Sequence, residues 1–227
     1  MKTKHIRLEC FDSIPVFPLN HVHLFPGCLL SLHIFEPRYI DLLKYAMDHD
    51  DVLAIADPQS VIDLHQPDLY CKYTPHVPPL VGAGFIVDVK KTRIDTYNVL
   101  LQGINRLEIL EEHPMDHRFR QFSTRFKEDD PVDSDQLTLS NIQLRQLIVQ
   151  LGQSHPDFED VTSSLLQHYV NPDIFTHLIV SQLTESKKLK KQIFLETNPL
   201  LRNEIIEEEV GRLIVSSLDD SKLPIIH

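Results

Sequence analysis

The sequence predicts an α+β protein with a mostly β N-terminal domain and a helical C-terminal domain. Up to residue 126, apolar residues alternate with polar ones, which is the period of half-buried strands. From residue 137 they recur every three or four positions, which is the period of a helix. Between these regions, residues 127–136 (KEDDPVDSDQ) hold one basic and five acidic side chains. We therefore predict a β domain at 1–126, a solvated acidic linker at 127–136 and a helical domain at 137–227.

The alternation also predicts the individual strands. It is clearest over residues 81–101, where apolar positions flank a polar KKTRIDT turn, so we expect a β-hairpin there. Shorter runs predict further strands at residues 30–34, 52–56, 107–109 and 122–126. One helix interrupts the strands, because Pro37 suits a first helical turn, where its missing N–H is not needed.

Helix-start signals divide the C-terminal domain. Ser140 with Gln143 matches a capping box, in which two side chains bond the free backbone donors at a helix start. Asn171 and Asn198 each stand before a proline, which is the order of an N-cap followed by a first helical residue. Apolar spacing predicts two more helices, at residues 160–169 and 185–195. We therefore expect four or five helices in this domain.

Composition excludes several classes of protein. Of 227 residues, 42% are hydrophobic and 24% are charged, as in ordinary soluble domains. No stretch approaches the roughly 18 apolar residues that span a bilayer, and no secretory signal is recognisable at the N-terminus. The net charge of −11 disfavours general binding to nucleic acids or anionic membranes. Cys10, Cys28 and Cys71 form no CxxC pair and are expected to be reduced thiols, so we predict a cytoplasmic protein.

No catalytic or cofactor motif is recognisable. None of the six glycines forms a phosphate-binding loop, and neither a nucleophile elbow nor an HExxH motif is present. Gly82 and Gly84 lack the third glycine of a dinucleotide fingerprint and lie within a strand pattern, which indicates close packing or a bulge. We therefore predict that the protein is not an enzyme and binds no cofactor.

The 13 histidines make a metal site the main alternative to consider. His21 and His23 would project from one face of an extended segment, and His33 with Glu36 could complete a set of ligands. No second closely spaced pair lies nearby in the sequence. Loop or solvent-facing histidines are therefore the favoured interpretation, and we predict that no metal is bound.

The most distinctive segment is residues 14–39, IPVFPLNHVHLFPGCLLSLHIFEPRY. Its blocks PVFPL, LFPG and LHIFEPRY resemble, in order and spacing, the opening of the substrate-binding N-terminal domain of the ATP-dependent Lon protease. Two later blocks, VGAGFIV at 81–87 and NVLLQGINRL at 98–107, resemble that family's glycine-containing strand and its strand ending in Gly-x-x-Arg. The resemblance covers about residues 14–210.

This resemblance implies a PUA-like pseudo-β-barrel with one inserted helix, followed by an α-helical bundle. Pro15 and Pro18 lack the N–H that a strand ladder needs, so they fit an edge strand or an irregular first strand. Phe35 is expected to fill the core between strand and helix. Glu36 is expected to accept N–H bonds at the helix start, and Arg38 to pair with Glu36 or another acidic neighbour.

The resemblance also implies recognition of unfolded or extended polypeptide, without the ATPase and peptidase modules of full Lon proteases. A shallow groove with apolar contacts and spare backbone groups would hold such a ligand. The predicted contacts lie at the LFPG turn, at the corner before the helix and in the proline-rich loop 66–79. These residues are Leu24, Phe25, Pro26, Phe35, Glu36, Arg38, Tyr39, Tyr70 and Tyr73.

Three other functions stay open from the sequence. The helical domain could dock on a partner protein as an adaptor, the family could indicate a peptidase-related enzyme, and a PUA-like barrel could bind RNA. The lack of a recognisable nucleophile disfavours the enzyme. Residues 1–126 hold 13 basic and 16 acidic side chains, which disfavours RNA. Self-association is a further expectation, whereas no membrane partner is expected.

Overall fold

The computed structural model describes residues 10–58, 77–92, 95–114, 116–167 and 172–216. Its contacts divide the chain into two compact units, Met1–Glu128 and Asp129–His227. Strands and one helix make up the described part of the first unit, and helices make up that of the second. The protein is therefore a mixed α and β structure, with its elements in the order that the two periodicities predict.

Six strands of the first unit form one mixed sheet. They are β1 (Cys10–Pro18), β2 (Leu29–Ile34), β3 (Val52–Ala56), β4 (Leu80–Lys91), β5 (Tyr97–Glu112) and β6 (Arg120–Phe126), and α1 (Pro37–Asp48) follows β2 in the chain. The order across the sheet is β2-β5-β4-β3-β1-β6, and β5 also pairs with β6. This extra pairing closes β5, β4, β3, β1 and β6 into a ring, from which β2 extends beside β5.

The predicted hairpin is confirmed as β4 and β5, which pair antiparallel. β5 continues beyond the hairpin and pairs with β6, so the separate strand predicted at 107–109 is the second half of β5. Register shifts between Ala83 and Gly84, and between Ile86 and Asp88, mark bulges in the hairpin. Bulges bend strands and increase their twist, which a closed ring requires.

β1 is an irregular strand but not an edge strand. It pairs with β3 in parallel and with β6 antiparallel, and its register shifts between Phe11 and Ile14. The shift lies just before Pro15, the first of the two prolines that cannot donate to a ladder. The prolines therefore coincide with an irregular strand inside the sheet.

Two apolar clusters fill the first unit. One of them joins β1, β3, β4, β5 and β6, and the other lies beneath α1. Pro37 begins α1 as predicted, and the helix buries Leu42, Leu43 and Ala46 along one face. Against this face pack Phe17, Leu24, Ile34, Leu53 and Leu101. The helix is thus held on the sheet by aliphatic burial, at roughly 25 cal/mol per Å² of apolar surface.

Two ion pairs join β5 to β6 at the surface. Arg120 donates from Nε to Oε1 of Glu112 over 2.6 Å, and Arg125 donates from Nε to Oε2 of Glu108 over 2.8 Å. The hydrogen bond from Arg120 lowers the pKa of the Glu112 carboxyl, and that from Arg125 lowers the pKa of Glu108. A lowered pKa means that the folded state favours the ionised carboxylate. Both pairs therefore stabilise the folded state at pH values above the range in which a free carboxyl titrates.

Replacing Glu112 by glutamine is expected to lower the free energy of unfolding by about 0.5–1 kcal/mol at neutral pH, the range of partly exposed pairs. The loss should shrink as pH falls through the lowered pKa of Glu112, because the wild-type carboxylate is then protonated too. Urea unfolding at a series of pH values measures this difference. Glu111→Gln is the control, since no ion pair of Glu111 is present among the described residues. If the difference in free energy of unfolding between Glu112→Gln and the wild type did not depend on pH, the stabilising role of the Glu112–Arg120 ion pair would be contradicted.

Five α-helices and a short 3₁₀ turn make up the described part of the second unit. The turn is Pro156–Phe158, and the helices are α2 (Ser134–Ser154), α3 (Glu159–Gln167), α4 (Pro172–Leu183), α5 (Lys187–Leu195) and α6 (Pro199–Ser216). The cap of α6 is confirmed: Oδ1 of Asn198 accepts from the backbone N–H of Leu200 over 2.9 Å. Asn171, the other predicted N-cap, lies outside the described residues.

The predicted start of the first long helix is wrong. α2 is capped by Asp133, whose carboxylate accepts from the N–H groups of Asp135 and Gln136, so Ser140 lies inside the helix. The Ser140 hydroxyl instead accepts from Nδ2 of Asn203 on α6 over 2.9 Å. The helix thus takes up residues 134–136 of the segment predicted as a linker, because an aspartate cap was available seven residues before the serine.

The acidic segment is also bonded to its own unit. Asp129 accepts two hydrogen bonds from the guanidinium of Arg202, one of them over 2.9 Å from Nη1. Asp130 accepts from the hydroxyl of Thr197 over 2.7 Å, and its N–H donates to the carbonyl of Thr197. Asp129 is therefore half-buried rather than solvated, whereas Asp130 is exposed although it is hydrogen-bonded.

Candidate functional site

The LFPG block forms a turn whose backbone lies directly on β4 and β5. The N–H of Gly27 donates to the carbonyl of Gly103 over 2.9 Å, and the N–H of Gly103 donates to the carbonyl of Cys28 over 2.8 Å. Gly27 has φ 77°, which glycine adopts without the clash of a Cβ atom. Gly82 lies so close to this turn that a Cβ atom there would be 3.1 Å from the carbonyl carbon of Leu24. Its glycine therefore serves close packing, as predicted.

The turn residues predicted to contact a ligand are buried. Leu24 and Phe25 are 1% and 2% exposed, and Pro26 is buried as well. Leu24 belongs to the cluster beneath α1. These three side chains therefore anchor the turn in the core, and the prediction that they form a contact surface is corrected accordingly.

Phe35 points in the direction opposite to the one predicted. Ile34 is buried in the cluster beneath α1, and Phe35 is 61% exposed. Successive side chains of an extended segment point to opposite faces, so the burial of Ile34 turns Phe35 outward. Its ring stacks on that of His33, with 6.0 Å between the centroids. Phe35 is therefore an exposed aromatic side chain between β2 and α1.

The corner after Phe35 is held by charge and by ring contacts. Arg38 donates to Oε2 of Glu36 over 3.0 Å from Nε, which confirms the predicted pair. The guanidinium carbon also lies 4.6 Å from the centre of the Tyr39 ring, whose edge-to-face contact with Phe17 spans 4.2 Å. Burial raises the pKa of the Tyr39 hydroxyl. The corner is thus a preformed surface of one ion pair above a half-buried ring.

The prediction that the side chain of Glu36 caps the helix is wrong. No side-chain capping bond is present at this position, and the backbone carbonyl of Glu36 accepts from the N–H groups of Tyr39 and Ile40. The carboxylate of Glu36 instead forms an ion pair with Arg38, two residues further along the chain. Because Pro37 has no N–H, the first turn also offers one donor fewer to a capping carboxylate.

β2 is the terminal strand of the sheet and carries an outward face. It pairs with β5 on one side, and no strand of the described chain pairs with its other side. Leu30, Leu32 and Ile34 point inward, whereas Leu29, Ser31 and His33 are exposed. Leu29 is 64% exposed, more than any other large apolar residue on a described strand. Nδ1 of His33 lies 2.7 Å from Oδ1 of Asn98, its cross-strand partner on β5.

Of the three histidines in the metal hypothesis, two contact the carboxylate of Asp57 and the third contacts Asn98. The N–H of His21 donates to Oδ1 of Asp57 over 2.8 Å, and Nε2 of His23 lies 3.5 Å from Oδ2 of the same carboxylate. His33 bonds Asn98 instead. In the part of the chain that the structure describes, no three His, Cys, Asp or Glu side chains come together as a metal site requires. Asp57 thus fastens the turn before LFPG to the end of β3.

A separate cleft lies between α1 and the connection from β5 to β6. Its volume is about 590 Å³, and it is lined by Asp41, Lys44, Tyr45, Asp48, Asp116, His117, Arg118 and Phe119. The rings of His117 and Phe119 stack at 5.0 Å, with Tyr45 beside both. Sequence reasoning missed this cleft because its two walls are about 70 positions apart in the chain. Charges of both signs line it, so it favours neither anions nor cations.

Of the nine predicted contact residues, the structure brings four together at one exposed place: Phe35, Glu36, Arg38 and Tyr39. Tyr70 and Tyr73 lie outside the described residues. Sequence reasoning did not select Leu29 or His33, although the inward alternation at 30, 32 and 34 was a signal that their neighbours face outward. None of the described helices combines the length and apolar content that a membrane crossing requires.

Solved structures with the same fold include two N-terminal domains from Lon proteins. The N-terminal domain of a Mycobacterium avium complex Lon protease aligns with a TM-score of 0.66 at 12% identity, over 88% of this chain and 98% of that one. A Lon N-terminal domain protein from Xanthomonas campestris aligns with a TM-score of 0.56 at 17% identity, over 87% and 98% of the two chains. At these identities the likeness concerns the fold alone.

The sequence comparison assigns the family. Residues 13–208 match the ATP-dependent protease La (LON) substrate-binding domain, and the chain belongs to this family. Curated relatives include the Lon protease of Anaeromyxobacter dehalogenans and Lon protease 2 of Sorangium cellulosum, each 22% identical over 88% of this chain. The chain spans 23% and 25% of the length of these two relatives, about a quarter of each. The resemblance inferred from the LFPG and LHIFEPRY blocks is confirmed.

Proposed function

We propose that the first unit binds extended polypeptide segments along the edge of β2 with which no other described strand pairs. The observation that carries this proposal is the position of β2 at the end of the sheet, between exposed Leu29 and exposed Phe35. The family is defined by substrate binding, and the relatives are proteases, whose substrates are polypeptides. Recognition rather than catalysis is therefore the role that we assign to the described units.

The backbone of β2 supplies the affinity in this proposal. In an antiparallel ladder, every second residue directs its N–H and C=O toward the partner strand, and the residues between direct theirs away. β2 pairs with β5 over Leu29–Ile34, so half of its backbone groups face away from β5. A ligand in extended form can bond these groups as an added strand, which is the usual mode of peptide capture at a sheet edge.

The exposed side chains supply the preference for apolar segments. Leu29 and Phe35 are six residues apart, which corresponds to about 20 Å along an extended chain. An added strand would place its own side chains beside them, at the distance of cross-strand pairs. Arg38 and Glu36 would border the Phe35 end with one charge of each sign. The proposed ligand is thus a segment of six or seven residues with apolar side chains near both ends.

We also propose the finer architecture that the resemblance implies. The ring of strands would be a PUA-like pseudo-β-barrel and the second unit an α-helical bundle, with residues 127–136 at their junction. Support comes from the pairing of β5 with both β4 and β6 and from the helices of the second unit. The cytoplasm is the proposed location, where unfolded polypeptides are available as ligands.

The test is binding of a fluorescein-labelled peptide that alternates leucine and threonine, measured by fluorescence anisotropy. Phe35→Lys or Leu29→Lys is expected to raise the dissociation constant about tenfold, because each removes an apolar contact worth more than about 1.4 kcal/mol. Leu110→Lys is the matched control, since Leu110 is 54% exposed on the far half of β5. It is expected to leave the dissociation constant unchanged.

A second peptide isolates the backbone contribution. Methylation of the backbone nitrogen at every second residue of the same peptide removes the N–H donors along one of its two edges, so two such peptides can be made. The peptide that is methylated along the edge facing β2 cannot donate hydrogen bonds to β2. Tenfold weaker binding by one of the two alternately methylated peptides supports the proposal. Equal affinity of both methylated peptides and the parent peptide would refute strand addition, and equal weakening by Leu29→Lys and Leu110→Lys would refute the site.

A further inference from the structure

The first half of α5 holds the highest density of basic residues in the chain. Four of the 22 lysines and arginines fall within five positions, in a chain whose net charge is −11. They are Lys187, Lys188, Lys190 and Lys191. The opposite side of the helix is anchored in its unit, where Leu189 and Ile193 are buried. A basic surface is therefore held in place on an otherwise acidic protein.

Three of these lysines share the outward side of α5 with a leucine. Positions 187, 191 and 195 are four residues apart and 188 is seven before 195, so the four side chains lie on one side of the helix. Lys187 and Lys188 are exposed, Lys191 is half-buried, and Leu195 is 46% exposed. We call Lys187, Lys188, Lys191 and Leu195 the basic face of α5. At about 1.5 Å per residue, this face is about 12 Å long, with the leucine at its C-terminal end.

The other basic residues in the described part of the second unit already have partners. Arg202 and Arg212 pair with carboxylates, and the guanidinium of Arg145 lies over an aromatic ring. By contrast, no carboxylate among the described residues comes within ion-pair distance of the three amino groups of the basic face. This difference exists although acidic residues outnumber basic ones in the unit. Within the described chain, these amino groups are therefore open to an external partner.

The basic face does not stabilise its own helix. Lys187 and Lys188 lie in the first turn of α5, where the helix dipole favours negative groups. Lys187 and Lys191 are four residues apart, a spacing at which like charges repel. The start of the helix already has its cap, since the hydroxyl of Ser186 accepts from the N–H of Leu189 over 3.3 Å. Charges that oppose local stability in this way are typical of residues that serve binding.

We infer that the basic face of α5 binds an acidic polypeptide segment of a partner protein. Charge complementarity selects the acidic residues, because carboxylates beside the three amino groups form charge-assisted hydrogen bonds. Leu195 selects an apolar side chain next to them. In an extended segment, about 12 Å corresponds to about four residues. The ligand thus carries two or three carboxylates and an apolar residue about four positions away. This contact is separate from the one proposed for β2 and does not depend on it.

The two ends of α5 disfavour a long polyanion such as a nucleic acid. Glu185 is exposed just before the helix, and Glu196 follows its last residue. A polyanion that extended past the basic face in either direction would meet these carboxylates. Nucleic acids are bound through many phosphate contacts, whereas this face offers three amino groups over about 6 Å. A phosphate backbone also offers nothing apolar to Leu195. A short acidic polypeptide segment satisfies both limits.

The test is binding of a fluorescein-labelled peptide of three glutamates, two serines and a leucine to the full chain, measured by fluorescence anisotropy. Lys187→Glu/Lys191→Glu should raise the dissociation constant at least about tenfold, because it turns two attractions into repulsions. Leu195→Ser should raise it severalfold, because it removes the apolar contact. Added salt should weaken binding to the wild type, because it screens the ion pairs.

Two controls separate the basic face from net charge. Lys90→Glu/Lys91→Glu changes the net charge by the same amount, at two lysines that already pair with Asp88 and Asp95. This variant should leave the dissociation constant unchanged. The same peptide with glutamines in place of its glutamates should bind the wild type at least about tenfold more weakly, because it lacks the carboxylates.

Unfolding does not account for the expected loss of binding. Lys187→Glu/Lys191→Glu should raise the urea midpoint of unfolding, because a carboxylate at position 187 suits the helix start and both new charges face Lys188 or Lys190 at attractive spacings. A merely structural role of the lysines would instead lower this midpoint. Urea unfolding followed by circular dichroism measures it.

Three results would overturn the inference. One is a wild type that binds the glutamate peptide no more tightly than the glutamine peptide. Another is equal weakening by the two double variants, which would assign the effect to net charge. The third is tighter binding of a six-nucleotide single-stranded DNA, lost in Lys187→Glu/Lys191→Glu, which would assign the face to nucleic acid. The β2 proposal is tested separately, because its leucine and threonine peptide has no charged side chains, and Lys187→Glu/Lys191→Glu should bind that peptide like the wild type.

Discussion

Gly103→Ala is expected to lower the free energy of unfolding of the first unit by about 3 kcal/mol, the upper range for overpacking a core. The Cβ atom of alanine would lie 2.8 Å from the carbonyl carbon of Phe25 and closer still to its oxygen. Both are backbone atoms, so no change of rotamer can relieve the overlap. The turn would have to move away from β5, and its hydrogen bonds between Gly27, Gly103 and Cys28 would lengthen or break.

Other glycines of the chain provide a graded series of controls. Gly82→Ala should lower the free energy of unfolding by about as much as Gly103→Ala, because its added Cβ atom meets the backbone of Leu24. Gly84→Ala meets the Leu24 side chain at 2.5 Å and also the Gln102 carbonyl, so a smaller loss is expected. Gly211→Ala meets no heavy atom within 4 Å inside α6 and should stabilise its unit by about 0.5–1 kcal/mol. Urea unfolding followed by circular dichroism ranks the four variants. Equal midpoints for Gly103→Ala and the wild type would contradict the close approach of the turn.

Local periodicity predicted most of the fold because the signal lies in consecutive residues. β4 and β5 could be predicted from alternation and from the turn between them, and α1 from Pro37 and its apolar spacing. The glycine pattern predicted close packing, although not that a turn would be the packing partner. That partner could not be predicted, because Gly82 and Gly103 lie far from Leu24 and Phe25 in the chain.

Side-chain direction was the weaker part of the predicted site. The LFPG block combines apolar residues with a turn, a pattern that fits a core anchor and an exposed contact equally well, and burial decides for the anchor. Phe35 follows Ile34 directly, so the alternation of Leu30, Leu32 and Ile34 places it on the outer face, and the prediction that Phe35 fills the core did not follow that alternation. The same alternation, counted from Ile34, would have predicted the outward positions of Leu29, Ser31 and His33.

The start of α2 shows a conflict between two local signals. Ser140 with Gln143 and Asp133 with the following residues both offer an N-cap, and the earlier one is used. The sequence favoured the later cap because residues 127–136 carry enough charge to resemble a solvated segment. Two carboxylates of that segment are bonded to Arg202 and Thr197, about 70 positions further along the chain. Pairing over such a separation is not visible in local composition.

Asp129→Asn is expected to lower the free energy of unfolding of the second unit by about 3 kcal/mol, the low end for breaking a buried ion pair. Arg202 is 1% exposed and Asp129 is partly exposed, so the variant leaves a guanidinium buried without its carboxylate. Arg202→Met should lower the free energy of unfolding less than Asp129→Asn does. The charge that Arg202→Met leaves unpaired is the carboxylate of Asp129, which is the more exposed of the two groups and can be solvated by water. Urea unfolding of both variants measures this asymmetry.

The double variant Asp129→Leu/Arg202→Met separates the pair from its surroundings. Replacing a buried pair by apolar residues of similar volume is often close to neutral, because the desolvation of both charges disappears with their attraction. The double variant should therefore be more stable than Asp129→Asn, with a coupling of about 1–3 kcal/mol between the two positions. Additive losses would show that Asp129 and Arg202 act independently, and a loss below about 0.5 kcal/mol for Asp129→Asn would show that solvent reaches Arg202.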